Sequence, residues 1–195
     1  MLYSALCVVF STVVVISNLI SVKMVPLPFD FAIPAGLFLY PLTFFISDLT
    51  TELFGAKKST QMVYIGLGAS LASWGVLALL PTGTLLSLGG LRIFSSLIAY
   101  LSAQIAGISL YASLKRITGP RFLWLRNNVS MWGSQIIDTV MIDFLFLYWG
   151  LGWSWPSVLP VMLFSFAYKA TFSLVSTPLL YWTRSLFTSP RFHRS

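Results

Sequence analysis

The sequence predicts an all-α integral membrane protein, one domain of six transmembrane helices over residues 1–195. Three observations carry this. Charged residues make up 9% of the chain, against about 25% in soluble domains. Uncharged runs extend from Met1 to Val22, Ser59 to Leu91, Ile93 to Leu114 and Phe144 to Tyr168, and about 20 apolar residues suffice to cross a bilayer at 1.5 Å per residue. Most basic residues lie between these runs rather than inside them.

The first helix is expected from about Leu2 to Val22, stopped by Lys23 and the Pro26-Leu27-Pro28 turn. Its start has no basic segment and a second span follows closely, so it reads as an uncleaved helix rather than a signal peptide. The second begins near Pro34, where proline is tolerated in a first turn, and runs to Phe54 before Gly55. Pro41 would then lie inside it and bend it. The third covers about Gln61 to Leu80, closed by Pro81-Thr82-Gly83, with Gly83 to Gly90 as an outer loop. The fourth runs from about Arg92 to Leu114. A basic loop from Lys115 to Arg126, turning at Gly119-Pro120, leads to the fifth, about Val129 to Trp149. Trp153 and Trp155 sit in the next short loop, where amphipathic rings favour a membrane interface. The sixth runs from about Ser157 to Trp182, with Pro178 near its end.

With six spans, Lys57, Lys58, Lys115, Arg116, Arg121, Arg126, Arg184, Arg191 and Arg194 share one side with the N-terminus, against Lys23 and Arg92 on the other. The positive-inside rule places both termini in the cytoplasm. The net charge of +7 is thus a topology signal and not a nucleic-acid footprint. A three-plus-three repeat is a further expectation: Asp48-Leu49-Thr50 and Asp138-Thr139 fall in equivalent helices that cross in opposite directions. Cys7, the single cysteine, reads as an apolar packing residue. The Asn128-Val129-Ser130 sequon falls on the cytoplasmic side, where it has no meaning.

The chemistry must reside in polar side chains within the spans, because a charge in hydrocarbon costs about 2.5–3.5 kcal/mol even on lenient scales. Asp48 and Glu52, at i and i+4, share a face of the second helix. Gln135 and Asp138 share a face of the fifth, and residue counting brings Gln104 and Lys169 to a similar depth. These residues suit one polar pocket, with Asn18 and Glu52 nearer its margins and Asp143 in an outer vestibule. The bland reading of each is a packing ion pair or interhelical amide glue. His193, the single histidine, lies in the tail, so histidine-based metal or acid–base chemistry within the membrane is excluded. No Gly-rich phosphate loop is followed by Lys-Ser/Thr, and no cofactor or metal site is expected. Binding or translocation fits these residues better than catalysis.

Pro34-Ala35-Gly36, Pro41-Leu42-Thr43 and Ser47-Asp48-Leu49-Thr50-Thr51-Glu52-Leu53-Phe54-Gly55, with basic residues following, resemble the queuosine precursor transporter family, also described as vitamin uptake transporters. Gln104, Ser134-Gln135-Ile136-Ile137-Asp138-Thr139, Lys169 and Thr177-Pro178 agree with it, as does Asn18. The resemblance implies a bacterial inner-membrane importer of 7-deazaguanine bases, the cyano or aminomethyl precursors or queuine, destined for tRNA. It implies a substrate site among Asp48, Glu52, Gln104, Gln135, Asp138, Lys169 and Asn18. A guanine-like edge offers two adjacent N–H donors to a carboxylate, and its carbonyl takes a donor from lysine or amide. The small base and the lipid bilayer are then the partners, with a homodimer one assembly left open. The alternatives are the substrate-binding subunit of an ATPase-driven vitamin importer and a membrane scaffold whose charges only pair across helices.

Overall fold

Helix α1 runs over Leu2–Ile20 and ends at Ser21, whose hydroxyl donates back to the Ser17 carbonyl at 2.7 Å. In this computed structural model the described residues are 1–21, 23–27, 31–79, 89–119, 121–150 and 152–188. Pro28, the Pro81-Thr82-Gly83 stop, residues 83–88 of the outer loop expected over Gly83 to Gly90, Pro120 and the tail carrying Arg191, His193 and Arg194 lie outside them, while Gly89 and Gly90 already belong to a helix. The segment expected as a simple turn forms a short antiparallel hairpin, β1 (Met24–Leu27) with β2 (Phe31–Pro34), pairing Val25 with Ile33 and Pro26 with Ala32. With two strands both are edges, so Pro26 is tolerated despite its missing N–H.

After β2 the chain makes one tight helical turn, Ala35–Phe38, before α2 (Tyr40–Phe54). Pro41 therefore sits in the first turn of α2, not inside a continuous helix, and its absent N–H removes no intrahelical bond. Gly36 lies where this turn crosses α1. A Cβ there would stand 1.8 Å from the Ser21 hydroxyl and 2.1 Å from the Ser17 carbonyl oxygen. Gly36→Ala must push α1 away from the turn, and overpacking of this kind costs about 1–3 kcal/mol. A lowered melting temperature of the purified protein is the expected result.

Gly55, at φ 84°, joins α2 directly to α3 (Ala56–Ala78). Helix α4 covers Gly89–Thr118 and α5 covers Leu123–Ile142, continuing in wider π-type turns over Asp143–Gly150. Helix α6 spans Trp155–Thr188 with Pro160 and Pro178 inside it. Much of the expected basic loop is therefore helical. Lys115 and Arg116 close α4, while Arg126 belongs to α5 and is fully buried.

Five helices among the described residues are long and apolar enough to cross a membrane: α1, the Ala35–Phe54 unit, α3, α4 from Phe94, and α6. Helix α5 is more polar, and its pattern is inside-out. Trp132, Ile136, Val140 and Phe144, four apart, are exposed, while Arg126, Asn127, Ser130, Ser134, Gln135 and Asp138 are buried. That is one apolar stripe and one polar face at helical spacing, with the polar face packed against α4 and α6. At Gly107 the approach of α4 to α5 is close: a Cβ there would lie 3.1 Å from that of Ser134. Small residues let backbones approach in this way within membranes.

Among the described residues, two apolar clusters hold the bundle. Phe10, Val14, Phe44, Met62, Tyr100, Ile108, Tyr111, Met131 and Leu180 form the larger, which includes the free Cys7 in its expected packing role. Ile33 of the hairpin joins Phe146, Leu147, Val158 and Val161 in the smaller. Asn128 is buried as well, donating to the Trp124 carbonyl at 2.8 Å and to Thr177 at 3.0 Å, so its sequon is packing.

Candidate functional site

A cavity of about 90 Å³ opens at the hairpin end of the bundle. Space for one water is roughly 10–15 Å³ on such a measure, so this volume takes several waters or a small planar ligand. The end of α1 contributes Asn18 and Ser21, the tight turn contributes Gly36 and Leu37, and the start of α2 contributes Tyr40. Ser96 comes from α4, and Val161, Ser165 and Lys169, four apart on α6, form one wall. From α5 and its wide continuation come Asp138, Thr139, Ile142, Asp143, Phe146 and Leu147.

Lys169 and Asp138 are the polar centre of this cavity. The lysine Nζ donates to Asp138 Oδ2 at 2.6 Å and to Thr139 Oγ1 at 3.2 Å, and it stands 5.6 Å from the centroid of the Tyr40 ring. Their side chains are 2% and 5% exposed. A pair so desolvated contributes little net stability, because desolvation offsets attraction. Its value is a fixed donor beside a fixed acceptor. Asn18 bridges across the mouth, accepting from Ser96 Oγ at 3.0 Å and donating to Ser70 Oγ at 3.4 Å.

Below the cavity, α2 meets α4 and α5 through polar groups. Gln104 Nε2 donates to Thr43 Oγ1 at 3.0 Å, while its Oε1 has no hydrogen-bond partner among the described residues. Gln135 is fully buried with neither amide atom partnered among those residues. Asp48 accepts from Ser130 Oγ at 2.8 Å. Asn127 donates to Thr177 at 3.0 Å and Ser173 donates to Asn128, which ties α6 to the same column. Buried amide atoms without partners are uncommon, so Gln104 and Gln135 hold unused capacity one to two turns from the cavity.

The opposite end of the bundle is closed by an ion cluster on Glu52, at the last turn of α2. Arg126 Nη2 contacts both carboxylate oxygens at 3.2 Å. Lys115 Nζ lies 3.3 Å from Oε2 and donates to the Glu52 carbonyl at 2.7 Å; Arg184 Nε lies 3.3 Å from Oε1. The Tyr111 hydroxyl donates to Oε2 at 3.0 Å, and Arg126 also donates to the Gly119 carbonyl. Four helices, α2, α4, α5 and α6, meet on this one carboxylate.

Of the residues singled out in the sequence, the structure brings Asp138, Lys169 and Asn18 together at the cavity. Asp48, Gln104 and Gln135 lie in the packed column beneath it, and Glu52 lies at the far end. Asp143, set apart as a vestibule residue, lines the cavity itself. Arg126 and Arg184 read as loop and tail charges, and only the burial of Glu52 between helices shows their partnership. Tyr40, Ser96 and Ser165 carry no signal in an apolar sequence, because nothing about a lone hydroxyl indicates which way it points.

Residues 34–183 match the family model described as "Putative vitamin uptake transporter". That range includes every cavity-lining residue named here except Asn18 and Ser21. A protein of Bacillus subtilis (strain 168) named "Probable queuosine precursor transporter" is 29% identical over 189 residues, covering 88% of this chain and 80% of that protein. No solved structure matches. Apolar helices that wrap buried charges around a polar cavity, and a family match over most of the length, agree with the resemblance carried by the Asp48 segment: the chain is a multi-pass membrane protein that belongs to the putative vitamin uptake transporter family.

Proposed function

We propose that this transporter imports 7-deazaguanine bases, the precursors of queuosine or queuine, across a bacterial inner membrane, and that the cavity around Asp138 and Lys169 is where they bind. The buried acid–lysine pair on the cavity wall carries this reading. A guanine-like edge presents two N–H donors beside a carbonyl. Asp138 offers carboxylate oxygens to the donors. Lys169, which uses two of its donors on Asp138 and Thr139, has a third for the carbonyl. The name of the Bacillus subtilis relative supports the same substrate class. Gln135, Gln104 and Asp48 then form the lower part of the path, where unpartnered amide atoms can receive the base as it moves inward.

The same reading takes the polar helix α5 as a sixth crossing, its exposed Trp132, Ile136, Val140 and Phe144 facing lipid. Both termini are then cytoplasmic, the hairpin end faces outward, and the Glu52 cluster closes the inner end. Lys57 and Lys58 at the start of α3 and Lys115 and Arg116 at the end of α4 sit on that inner side, as the positive-inside rule requires. Opening inward needs the contacts of Glu52 to separate.

The test is queuosine in the tRNA of cells that cannot make the precursors and depend on uptake. Expression of this chain is expected to restore it at low external precursor, and Asp138→Asn to reduce the uptake rate at least tenfold at equal protein level. Normal queuosine with Asp138→Asn at normal abundance would sink the site assignment. No restoration by the unaltered protein, correctly inserted, would sink the substrate.

A further inference from the structure

Two carboxylates among the described residues line the cavity, and their surroundings differ. Asp138 is engaged by Lys169 at 2.6 Å. Asp143 is 7% exposed and its Oδ2 has no hydrogen-bond partner among the described residues. Among the described residues that line the cavity, these two acids face one cation, Lys169. A cavity-lining carboxylate with a buried, unpartnered oxygen is costly to maintain, and a donor carried by the ligand would satisfy it.

Helix geometry explains the placement. Taking Asp138 as zero and about 100° per residue, Ile142 and Thr139 fall at about 40° and 100°, with Asp143 at about 140°. All four line the cavity, so the two acids mark opposite edges of its α5 wall, separated along the axis by about 7.5 Å. The wider turns that begin at Asp143 carry Phe146 and Leu147 onto the same wall. A ring held edge-on by Asp138 and Lys169 and laid across Ile142 would direct a substituent at Asp143.

We infer that Asp143 is a specificity residue that receives a protonated amine on the substrate, so that the transporter favours bases bearing a primary ammonium group over neutral ones. This rests on the substrate class proposed above and narrows it to the aminomethyl-bearing base over the cyano-bearing one. The ammonium donates to the Asp143 carboxylate, a charge-assisted bond in a water-poor site, where Lys169 is already engaged by Asp138.

Binding of the two bases to the purified full-length protein tests this by titration calorimetry. The unaltered protein is expected to prefer the aminomethyl base. Asp143→Asn, which keeps the shape and removes the charge, is expected to weaken that base by about tenfold or more and the cyano base by less than about threefold. Asp143→Glu should keep part of the preference. Should Asp143→Asn not fold, Asp143→Ser gives the same readout, and the preference of the unaltered protein stands as an independent measurement. Equal loss of both bases in the variants, no loss of either, or an unaltered protein that holds the cyano base as tightly would overturn the role of Asp143 while leaving the transporter reading intact. Failure of the unaltered protein to bind either base would overturn the substrate class itself, and this inference with it.

Discussion

Glu52→Gln is expected to destabilise the protein by about 3–5 kcal/mol, the scale observed when one member of a buried ion pair is removed. The arrangement makes the loss large. Glu52 is the shared anion for Arg126, Lys115 and Arg184, and its side chain is 5% exposed. Arg126 is fully buried. Neutralising the acid leaves that guanidinium with the Tyr111 ring at 5.7 Å, Thr118 and backbone carbonyls, but without the counter-charge that offsets its desolvation. Arg184→Gln should cost far less, at most about 1 kcal/mol, because its side chain is 29% exposed and water screens it. Thermal unfolding in detergent, compared at one scan rate because membrane proteins commonly unfold irreversibly, checks the order. A melting temperature for Glu52→Gln no lower than for Arg184→Gln would show that the cluster does not hold the bundle. The double variant Glu52→Gln/Arg126→Met removes both buried charges and should recover part of the loss.

The pair at the cavity gives the second large effect, and here stability and function separate. Lys169→Met leaves Asp138 buried beside Thr139 without its cation, and Asp138→Asn leaves Lys169 buried with amide and hydroxyl partners. Each single change should lower stability by about 3–5 kcal/mol. Asp138→Asn/Lys169→Met removes both charges and keeps similar volume, so stability should return to within about 1–2 kcal/mol of the starting protein. Uptake should not return, because the donor and acceptor set presented to the substrate is gone. A double variant that is stable and still transports would show that the pair is packing alone. Measuring melting temperature and uptake on the same four proteins distinguishes these outcomes.

The two ends of the bundle were unequally legible. Asp48-Leu49-Thr50-Thr51-Glu52 announces itself, since acids in an apolar helix are expensive. Yet Glu52 lies far from the cavity, because the four-residue step from Asp48 moves it one turn toward the helix end, where Arg126 and Arg184 fold in from α5 and α6. Depth counting brought Asp138 and Lys169 together correctly in height, and their 2.6 Å contact agrees with it. The same counting placed Asp48, Gln104 and Gln135 at nearby depths, but depth says nothing of azimuth, and these residues face the packed column below the cavity. Asp143, expected in an outer vestibule, lines the cavity itself. The cavity wall is about 140° wide, so a residue off the Asp138 axis can still line it. The hairpin was hidden by its prolines, which read as a turn in a segment too short to show alternation.

Composition and charge spacing determined by themselves that this chain lives in a bilayer as a helical bundle. Hydrocarbon leaves backbone polar groups no partner but their own helix, and it penalises each buried charge enough to mark it in the sequence. The Asp48 segment determined the family in the same way, as a local pattern legible without any fold. Only the tertiary structure decided which marked residues meet: that Lys169 takes Asp138, that three cations converge on Glu52, and that Asp143 faces the cavity. The physical reason is that these pairings join residues 31 to 132 positions apart. Their distances depend on helix rotation and crossing, which small residues such as Gly107 and Ser134 set through close contact and which no local periodicity encodes.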